Sequence, residues 1–568
     1  MRILLLTRSF NSLTQRLYVE LEKRGHVLSV EYDINDDVSI EAVDLFGPDL
    51  IIASYMTRRI PESVWSRVPT FVIHPGPVGD GGPSALDWAI MNSETEWGVT
   101  VLQAEAELDA GPVWASRTFR MRRTTKSSLY RNEVTEAAVA CVSEAIVRLA
   151  AGESPSANLQ RDKVRSATWR PLMRQSNRSI DWRSDDTETV LRKIRSADGQ
   201  PGVLDEIENE RFYLYDAHAE PVLTGNAGTL LARRDGAICR ATCNGAVWLG
   251  HLKPADTADA TFKRSATAAL GARAEALPER PAIVGPTGEA SQPIRYRECG
   301  PVGFLHFDFY NGAISTERCR QLLAAYRQAA ARPTRVLVLM GGYEFWSNGI
   351  DLAAIEAAAS PADESWRNIN AMDDVAEAVI KTTDKLTISA LQGNAGAGGV
   401  FLALAADMVL ARKGVILNPH YKNMGNLFGS EYWTYVLPRR RPDGSLEAVM
   451  DRRLPLDAEQ ARELGLIDDV LANQRDEFLA SVAVFARSQA DDPALRTRLQ
   501  DKARQRAKDE ETKPLAAYRH QELERMKLNF YGFDPSYHVA RYHFIAKLPL
   551  ARTPVHLARH REPVRLRA

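Results

Sequence analysis

The 568-residue sequence predicts an α/β protein of about three domains: a doubly wound domain, a small OB-like β-barrel, and a second α/β domain closed by C-terminal helices. Three observations predict it. Apolar runs and helix-compatible stretches alternate from Arg2 to His74. A hairpin signal follows, two short strand-like runs around Asn244-Gly245. Finally, Trp346-Ser347-Asn348-Gly349-Ile350-Asp351-Leu352 and Gly393-Asn394-Ala395-Gly396-Ala397-Gly398-Gly399 each follow an apolar run and lead into helix-compatible sequence. Glycine-rich turns of this kind expose backbone N–H groups, and two together can aim two donors at one carbonyl oxygen.

Composition bounds the function. A net charge of −1 argues against a global field for nucleic acid. The cysteines, Cys141, Cys239, Cys243, Cys299 and Cys319, are few, scattered and odd in number, which fits a reduced, cytoplasmic setting. Cys239 and Cys243 have no second Cys or His pair nearby, so no metal site is expected. The opening MRILLLT is too short for a signal peptide, and no run reaches the roughly 18 apolar residues that suggest a membrane span. The last stretch is basic, with Arg541, Lys547, Arg552, Arg559, Arg561, Arg565 and Arg567. It reads either as a docking tail or as a solvated terminus.

Taken in order, Arg2–Thr7 reads as a buried strand, followed by a helix capped by Ser12 and stopped by Gly25. Val27–Tyr32, Asp49–Tyr55 and Thr70–His74 complete a predicted parallel sheet. The first turn, Thr7 to Ser12, has no glycine, so a dinucleotide fingerprint is absent. The chemistry gathers after the fourth strand: His74-Pro75-Gly76-Pro77, then Gly81-Gly82-Pro83-Ser84-Ala85-Leu86-Asp87-Trp88, Gly98-Val99-Thr100, and Leu108-Asp109-Ala110-Gly111-Pro112. A His at a strand's carboxyl end stands where such folds bind ligands, and an Asp from a later loop can orient it. This constellation resembles the formyltetrahydrofolate-dependent transferases. The resemblance implies His74 and Asp109 as the catalytic pair. The family's asparagine, which helps polarise the formyl carbonyl, falls at Val72 here. A thiolate is a better nucleophile than an amine and needs less help.

Beyond Ala151, Ser179-Ile180-Asp181-Trp182 and the stretch Ile194 to Gly202 resemble the small β-rich domain that follows the catalytic domain of methionyl-tRNA formyltransferase. No basic stripe with interleaved aromatics is present, so RNA binding is not expected. Lys253–Pro281 is Ala-rich with few strand formers and reads as a linker compatible with helix.

In the second half, Gly303–Phe309 opens a strand and Thr316–Ala331 a helix. Leu454 to Ala461 reads as a capped helix, and Glu463 to Val470 as a helix stopped by glycine and running into a strand. With the two Gly-rich turns, these segments resemble the crotonase (enoyl-CoA hydratase/isomerase) superfamily. The resemblance implies an oxyanion hole from the N–H groups of Ile350 and Gly398, and a CoA site near Asn311. The positions of the hydratase glutamates hold Phe401 and Tyr421. Hydration of an enoyl thioester is therefore not expected. The ionisable groups left in the segment are His420, Tyr421, Lys422 and Glu431; Tyr421 and Glu431 are the candidates for handling a proton. In the first half, Gln15, Arg131 and Ser196 are the polar groups expected to face a bound cofactor.

The expected layout is residues 1–165 for the formyltransferase-like domain, 166–252 for the OB-like domain, 253–290 for the linker, and 291–568 for a crotonase-like domain with a C-terminal helical tail. A formyltransferase half joined to a crotonase half resembles the HypX (HoxX) family of nickel–iron hydrogenase maturation factors. Tyr531-Gly532-Phe533-Asp534-Pro535-Ser536-Tyr537-His538 and the segment Arg552 to Arg561 add to that resemblance. It implies synthesis of carbon monoxide from 10-formyltetrahydrofolate; the residues, with Val72 in place of an amide donor, suggest coenzyme A as the acceptor and a closed internal path. It also implies hydrogenase proteins as partners. Two other classes stay open: an amine formyltransferase whose second half binds the acceptor, and a non-enzymatic folate- and CoA-sensing scaffold.

Overall fold

Ile3, Leu4, Leu5 and Leu6 are each at most 1% exposed, as a strand covered on both faces demands. They lie in β1 (Arg2–Thr7) of a computed structural model that describes residues 1–156, 159, 168–256, 261–280, 293–442 and 444–562. The chain divides into two compact units, one built on Met1–Ala282 with Pro549–Ala568, the other on Ser291–Leu548.

In the first unit, β1 leads through α1 (Ser12–Lys23) to β2 (Val27–Tyr32), then through α2 (Asp36–Phe46) to β3 (Leu50–Tyr55) and β4 (Thr70–His74). The sheet order is β2-β1-β3-β4, all parallel, followed by the strands Glu96–Gln103 and Val113–Arg120. Those last two run antiparallel, so the sheet is mixed where a parallel one was expected. The last two strands form a hairpin, because a short loop with no helix joins them, while helix Ala85–Met91 lies in the connection from β4 to Glu96–Gln103. The cap of α1 is Asn11, whose side chain accepts from Thr14 N–H, and Ser12 is the first helical residue. Gly25, at φ +82°, lies just past the helix end as expected.

The strands Val203–Ile207, Glu210–Glu220, Leu230–Arg234, Ala237–Ala241 and Ala246–Pro254 form the antiparallel sheet of the middle region. The expected two-residue hairpin at Asn244-Gly245 is instead a four-residue connection. Ala241 pairs with Ala246, and Thr242 N–H bonds to Gly245 O at 2.9 Å. Asn244 is drawn away because its Oδ1 accepts from the N–H of Thr187, 2.9 Å away, at the start of helix Thr187–Ala197. The expected linker 253–290 is also corrected. Its described part holds helices Ala266–Leu270 and Ala272–Glu275, and Ala266, Leu270 and Ala274 join a core with Val190, Ile194, Leu214 and Leu249. The boundary expected at 165/166, and the rest of the linker at 257–260 and 281–290, lie outside the described residues.

The second unit stacks two sheets. One has the order Ile294–Cys299, Val302–Phe307, Val336–Met340, Leu386–Leu391, Met408–Arg412, Asp469–Leu471, parallel after the first pair. The other runs Phe345–Ser347, Asn394–Gly396, Ile416–Asn418, Leu456–Asp457. Each Gly-rich segment thus leaves a strand of the first sheet and adds a short strand to the second. The pairing Phe345↔Asn394 and Ser347↔Ala395 sets the two turns side by side. Asp457 caps helix Ala458–Glu463 through a capping box with Gln460.

The final described residues, 549–562, pack in the first unit, not with the crotonase-like region to which 291–568 was expected to extend. The reason lies at β2, the edge of its sheet. Val30 N–H donates to Leu557 O at 2.9 Å, and Tyr32 N–H to Thr553 Oγ1 at 2.7 Å. His560 bonds Ser29 Oγ through Nδ1 (2.7 Å) and Glu31 Oε2 through Nε2 (3.0 Å). Arg561 pairs with Glu31 and Glu41. Thr553, Leu557, His560 and Arg561 thus tie this stretch to the first unit, while Arg552 and Arg559 stay exposed. Arg565 and Arg567 lie outside the described residues. No helix among the described residues is long and apolar enough to cross a membrane.

Candidate active sites

The first site forms at the carboxyl end of β4. His74 ends the strand with its ring buried between two carboxylates. Its Nε2 lies 2.9 Å from Asp80 Oδ2, and its Nδ1 lies 3.6 Å from Asp109 Oδ2. Both acids are held from behind. Asp109, at φ +55°, accepts the N–H of Gly82 at 2.9 Å. Asp80 Oδ1 accepts from Arg170 Nε, and the guanidinium lies 4.9 Å from the centre of the Trp97 ring. Two glycines make this packing possible. A methyl group on Gly82 would meet Arg170 O at 2.0 Å, and one on Gly111 would meet Gln103 O at 1.8 Å. The Leu-Asp-Ala-Gly-Pro loop closes on the sheet only because position 111 has no side chain.

Sequence reasoning found His74 and Asp109 but missed Asp80 and Arg170. An acid six residues beyond the His, across a Pro-Gly turn, was the available signal. Gln15 is half-buried and donates Nε2–H to Phe10 O at 2.9 Å. Arg131 is half-buried in the π-helical turn Tyr130–Val134. Ser196 lies in helix Thr187–Ala197. It is fully buried, and its hydroxyl donates to Lys193 O at 2.7 Å, one turn back in its own helix.

The second site forms where the Gly-rich turns meet. A methyl placed on Gly349 would lie 3.4 Å from Gly398 N. Gly398 is the first residue of helix Gly398–Leu404, whose leading N–H groups have no partner within the helix. Ala397 before it sits at φ +45°, with its N–H on Asn418 O at 2.9 Å. Ile350 follows Gly349, which is at φ +81°, and bridges to Ile314. Asn311, at φ +55°, gives its carbonyl to Asn348 Nδ2 at 2.8 Å.

Against Gly398 stands Glu431. A methyl on Gly398 would lie 2.0 Å from Glu431 Oε1. The other oxygen, Oε2, accepts the Tyr421 hydroxyl at 2.6 Å and Ser430 N–H at 3.3 Å. The structure therefore brings Tyr421, Glu431 and Gly398 together, and leaves Oε1 as the oxygen nearest Gly398. Tyr421 stacks on Phe401 with ring centres 5.5 Å apart, so the two aromatics pack as a pair. A methyl on Gly429 would meet the Tyr421 ring at 2.0 Å.

Glu431 is buried beside two further carboxylates, Asp373 and Glu522, neither of them singled out from sequence. Burial pushes the Glu431 carboxyl up to about 7, with the negative Glu522 adding and the Tyr421 phenol opposing. Burial likewise raises Glu522 to about 7, and Asp373 well above the ordinary carboxylate range. Burial and the neighbouring Glu431 hold the Tyr421 phenol protonated far above its usual value. Both missed acids break an apolar helical stripe. Asp373 sits among Ile369, Met372, Ala376 and Ile380, and Glu522 among Leu515, Met526 and Phe530. An acid on the core face of a helix was the signal that could have found them.

With this geometry in place, the chain was compared with known proteins. The family described as formyl transferase, C-terminal domain, matches residues 172–267, and enoyl-CoA hydratase/isomerase matches residues 309–530. A hydrogenase maturation factor HoxX from Bradyrhizobium diazoefficiens is 54% identical over 99% of this chain and 97% of its own. A methionyl-tRNA formyltransferase from Thermotoga neapolitana is 26% identical over 37% of this chain and 67% of its own. The crystal structure of HypX from Aquifex aeolicus in complex with tetrahydrofolic acid superposes with a TM-score of 0.95, at 47% identity, covering 99% of both chains.

Proposed function

The chain belongs to the HypX/HoxX family of hydrogenase maturation factors, and from that premise we propose that it makes carbon monoxide in two steps. In the first unit, the thiol of coenzyme A attacks the formyl carbon of 10-formyltetrahydrofolate. His74, braced by Asp80 and Asp109, relays the thiol proton to the departing folate nitrogen. The products are formyl-CoA and tetrahydrofolate. The tetrahydrofolate complex of the Aquifex protein supports the choice of donor. Val72 offers no hydrogen bond to the formyl oxygen; Arg170, tied to His74 through Asp80, is the cationic donor we assign in its place.

In the second unit, the formyl oxygen of formyl-CoA lies on the N–H groups of Ile350 and Gly398. Polarised there, the formyl C–H gives its proton to Glu431 Oε1. Its electron pair stays on carbon as the C–S bond breaks toward sulfur. Carbon monoxide leaves, and the proton returns to the thiolate. Tyr421 holds the other oxygen of Glu431 and so aims it. A formyl thioester has no α-carbon, so enolate chemistry is closed, in keeping with the apolar Phe401 at a hydratase glutamate position. Gln15, Arg131 and Ser196 in the first unit and Asn311 in the second are our candidates for cofactor contacts. The matched enoyl-CoA hydratase/isomerase domain supports coenzyme A as the carrier. All five cysteines are free, which supports a reducing, cytoplasmic setting for work with other hydrogenase maturation proteins or the hydrogenase itself.

The observation that carries this reading is the Glu431 carboxylate, anchored by a phenol and set against Gly398. The test gives purified protein both substrates with deoxyhaemoglobin as a gas trap. A haem shift that Tyr421→Phe and Glu431→Gln both lose supports the reading; an unchanged haem spectrum with folded wild-type protein overturns it.

A further inference from the structure

Glu431 and Tyr432 are consecutive left-handed residues, both at φ +59°. Non-glycine residues pay roughly 1–2 kcal/mol each for that conformation and keep it only when their surroundings over-determine it. Two acids from distant helices do so here. Asp373, on helix Pro361–Lys381, accepts Glu431 N–H at 2.8 Å and the Ser430 hydroxyl at 2.9 Å. Glu522, on helix Leu515–Tyr531, accepts Tyr432 N–H at 3.0 Å and Thr434 N–H at 2.8 Å, together with the Thr434 hydroxyl. Tyr432 caps helix Trp433–Arg440, so Glu522 also meets the positive end of that helix. The backbone N–H groups of both left-handed residues thus end on these two carboxylates.

We propose that Asp373 and Glu522 are positioning residues for Glu431: they lock the left-handed turn that aims its carboxylate at Gly398. The inference rests on the decarbonylation reading above. Three fully buried carboxylates stand close together, and the cation among them is Arg519, whose Nε lies 3.7 Å from Asp373 Oδ2. That guanidinium is also shared with Asp374 and Glu377. The other titratable groups facing Glu431 are the Tyr421 phenol and the buried thiol of Cys319, both held neutral by burial. Glu522 therefore opposes charge on Glu431 in the resting site. It makes Glu431 a stronger base when the formyl proton must be taken.

The test uses the full chain and supplies formyl-CoA directly, so that only the second step is read. Glu522→Gln keeps the shape but halves the acceptor capacity and removes the charge. It is expected to lower kcat for gas release about tenfold with little change in KM, as loss of alignment does. It should also move the pH midpoint of kcat downward. CoA-dependent release of tetrahydrofolate by the first unit is expected to stay at the wild-type rate, and a wild-type urea midpoint for the second unit shows that the variant is folded. A second measurement needs no turnover: infrared titration of the carboxyl band that Glu431→Gln removes. Its midpoint should fall in Glu522→Gln, while Asp373→Asn should lower kcat through loss of alignment alone. Wild-type kcat in both variants, or an unmoved midpoint in Glu522→Gln, would overturn the proposal. If wild-type protein releases no gas from formyl-CoA, the decarbonylation reading fails, and the infrared midpoint alone still decides whether Glu522 acts on Glu431.

Discussion

Asp80 Oδ2 lies 2.9 Å from His74 Nε2, closer than the 3.6 Å that separates Asp109 Oδ2 from Nδ1 of the same ring. A neutral imidazole has one N–H, so it donates to one of these acids; an imidazolium donates to both. Either acid therefore biases where the proton of the transfer step is stored. Asp80→Asn is expected to slow CoA-dependent tetrahydrofolate release about tenfold at saturating substrate, and Asp109→Asn by a comparable factor. Single-turnover absorbance of the folate checks both. A wild-type rate in Asp80→Asn would remove that residue from the mechanism.

The two neighbouring glycines of the second turn should behave differently. A methyl on Gly398 meets only the end of a flexible side chain, Glu431 Oε1 at 2.0 Å, and the carboxylate can swing aside. A methyl on Gly399 meets Ser347 O at 2.0 Å, which is backbone. Gly398→Ala is expected to fold normally, keep formyl transfer and lose at least about tenfold in gas release through the displaced base. Gly399→Ala is expected to lower the stability of the second unit by a few kcal/mol, about the cost of overpacking. Urea unfolding beside the haem assay separates the two. Full gas release by Gly398→Ala would contradict the placement of Glu431.

Much of this could be read from residue order. The parallel strands β1 to β4, the adjacent Gly-rich turns and the capped helix at Asp457 all follow from local rules: apolar runs, glycine at positive φ, a side chain that caps. What escaped depends on distant partners. Asn244-Gly245 carries a two-residue turn signal, but Thr187, 57 positions earlier, takes the Asn side chain. His560 looked like part of a free basic tail because Glu31, 529 positions away, cannot be paired with it by periodicity. Asp373 and Glu522 matter through contacts across the fold and left a trace only as breaks in an apolar stripe, while Asp80 left a local one, an acid six residues beyond His74.

The pH dependence of stability in the second unit should run opposite to that of ordinary paired carboxylates. Glu431 and Glu522 are pushed up to about 7 from an ordinary 4.5, so between those values the folded protein holds protons that the unfolded chain has released. Stability then falls as pH rises through that window, by about 1 kcal/mol per pH unit for each carboxyl. Urea midpoints for the second unit are expected to be higher at mildly acidic pH than at alkaline pH. Asp373, raised in the same direction, adds to the slope, so Glu522→Gln should flatten it by about a third. Equal slopes in the two proteins would show that the acids titrate normally.

The segment after Leu548 is expected to stabilise the first unit by covering an edge. β2 is the last strand of its sheet, and an open edge leaves N–H groups without partners. Leu557 O and Thr553 Oγ1 take the N–H groups of Val30 and Tyr32, and His560 meets Glu31 where both side chains are 0% exposed. Removing one partner of a buried ion pair costs about 3–5 kcal/mol when the other is left alone. Arg561, 2.9 Å from Glu31, keeps part of the compensation, so His560→Ala is expected to cost about 2 kcal/mol. A chain ending at Leu548 should lose more, and its Val30 and Tyr32 amides should exchange with solvent far faster than those of β1. Hydrogen exchange read residue by residue in the three proteins checks this. Protected Val30 and Tyr32 amides in the shortened chain would mean that the edge is covered by something other than the tail.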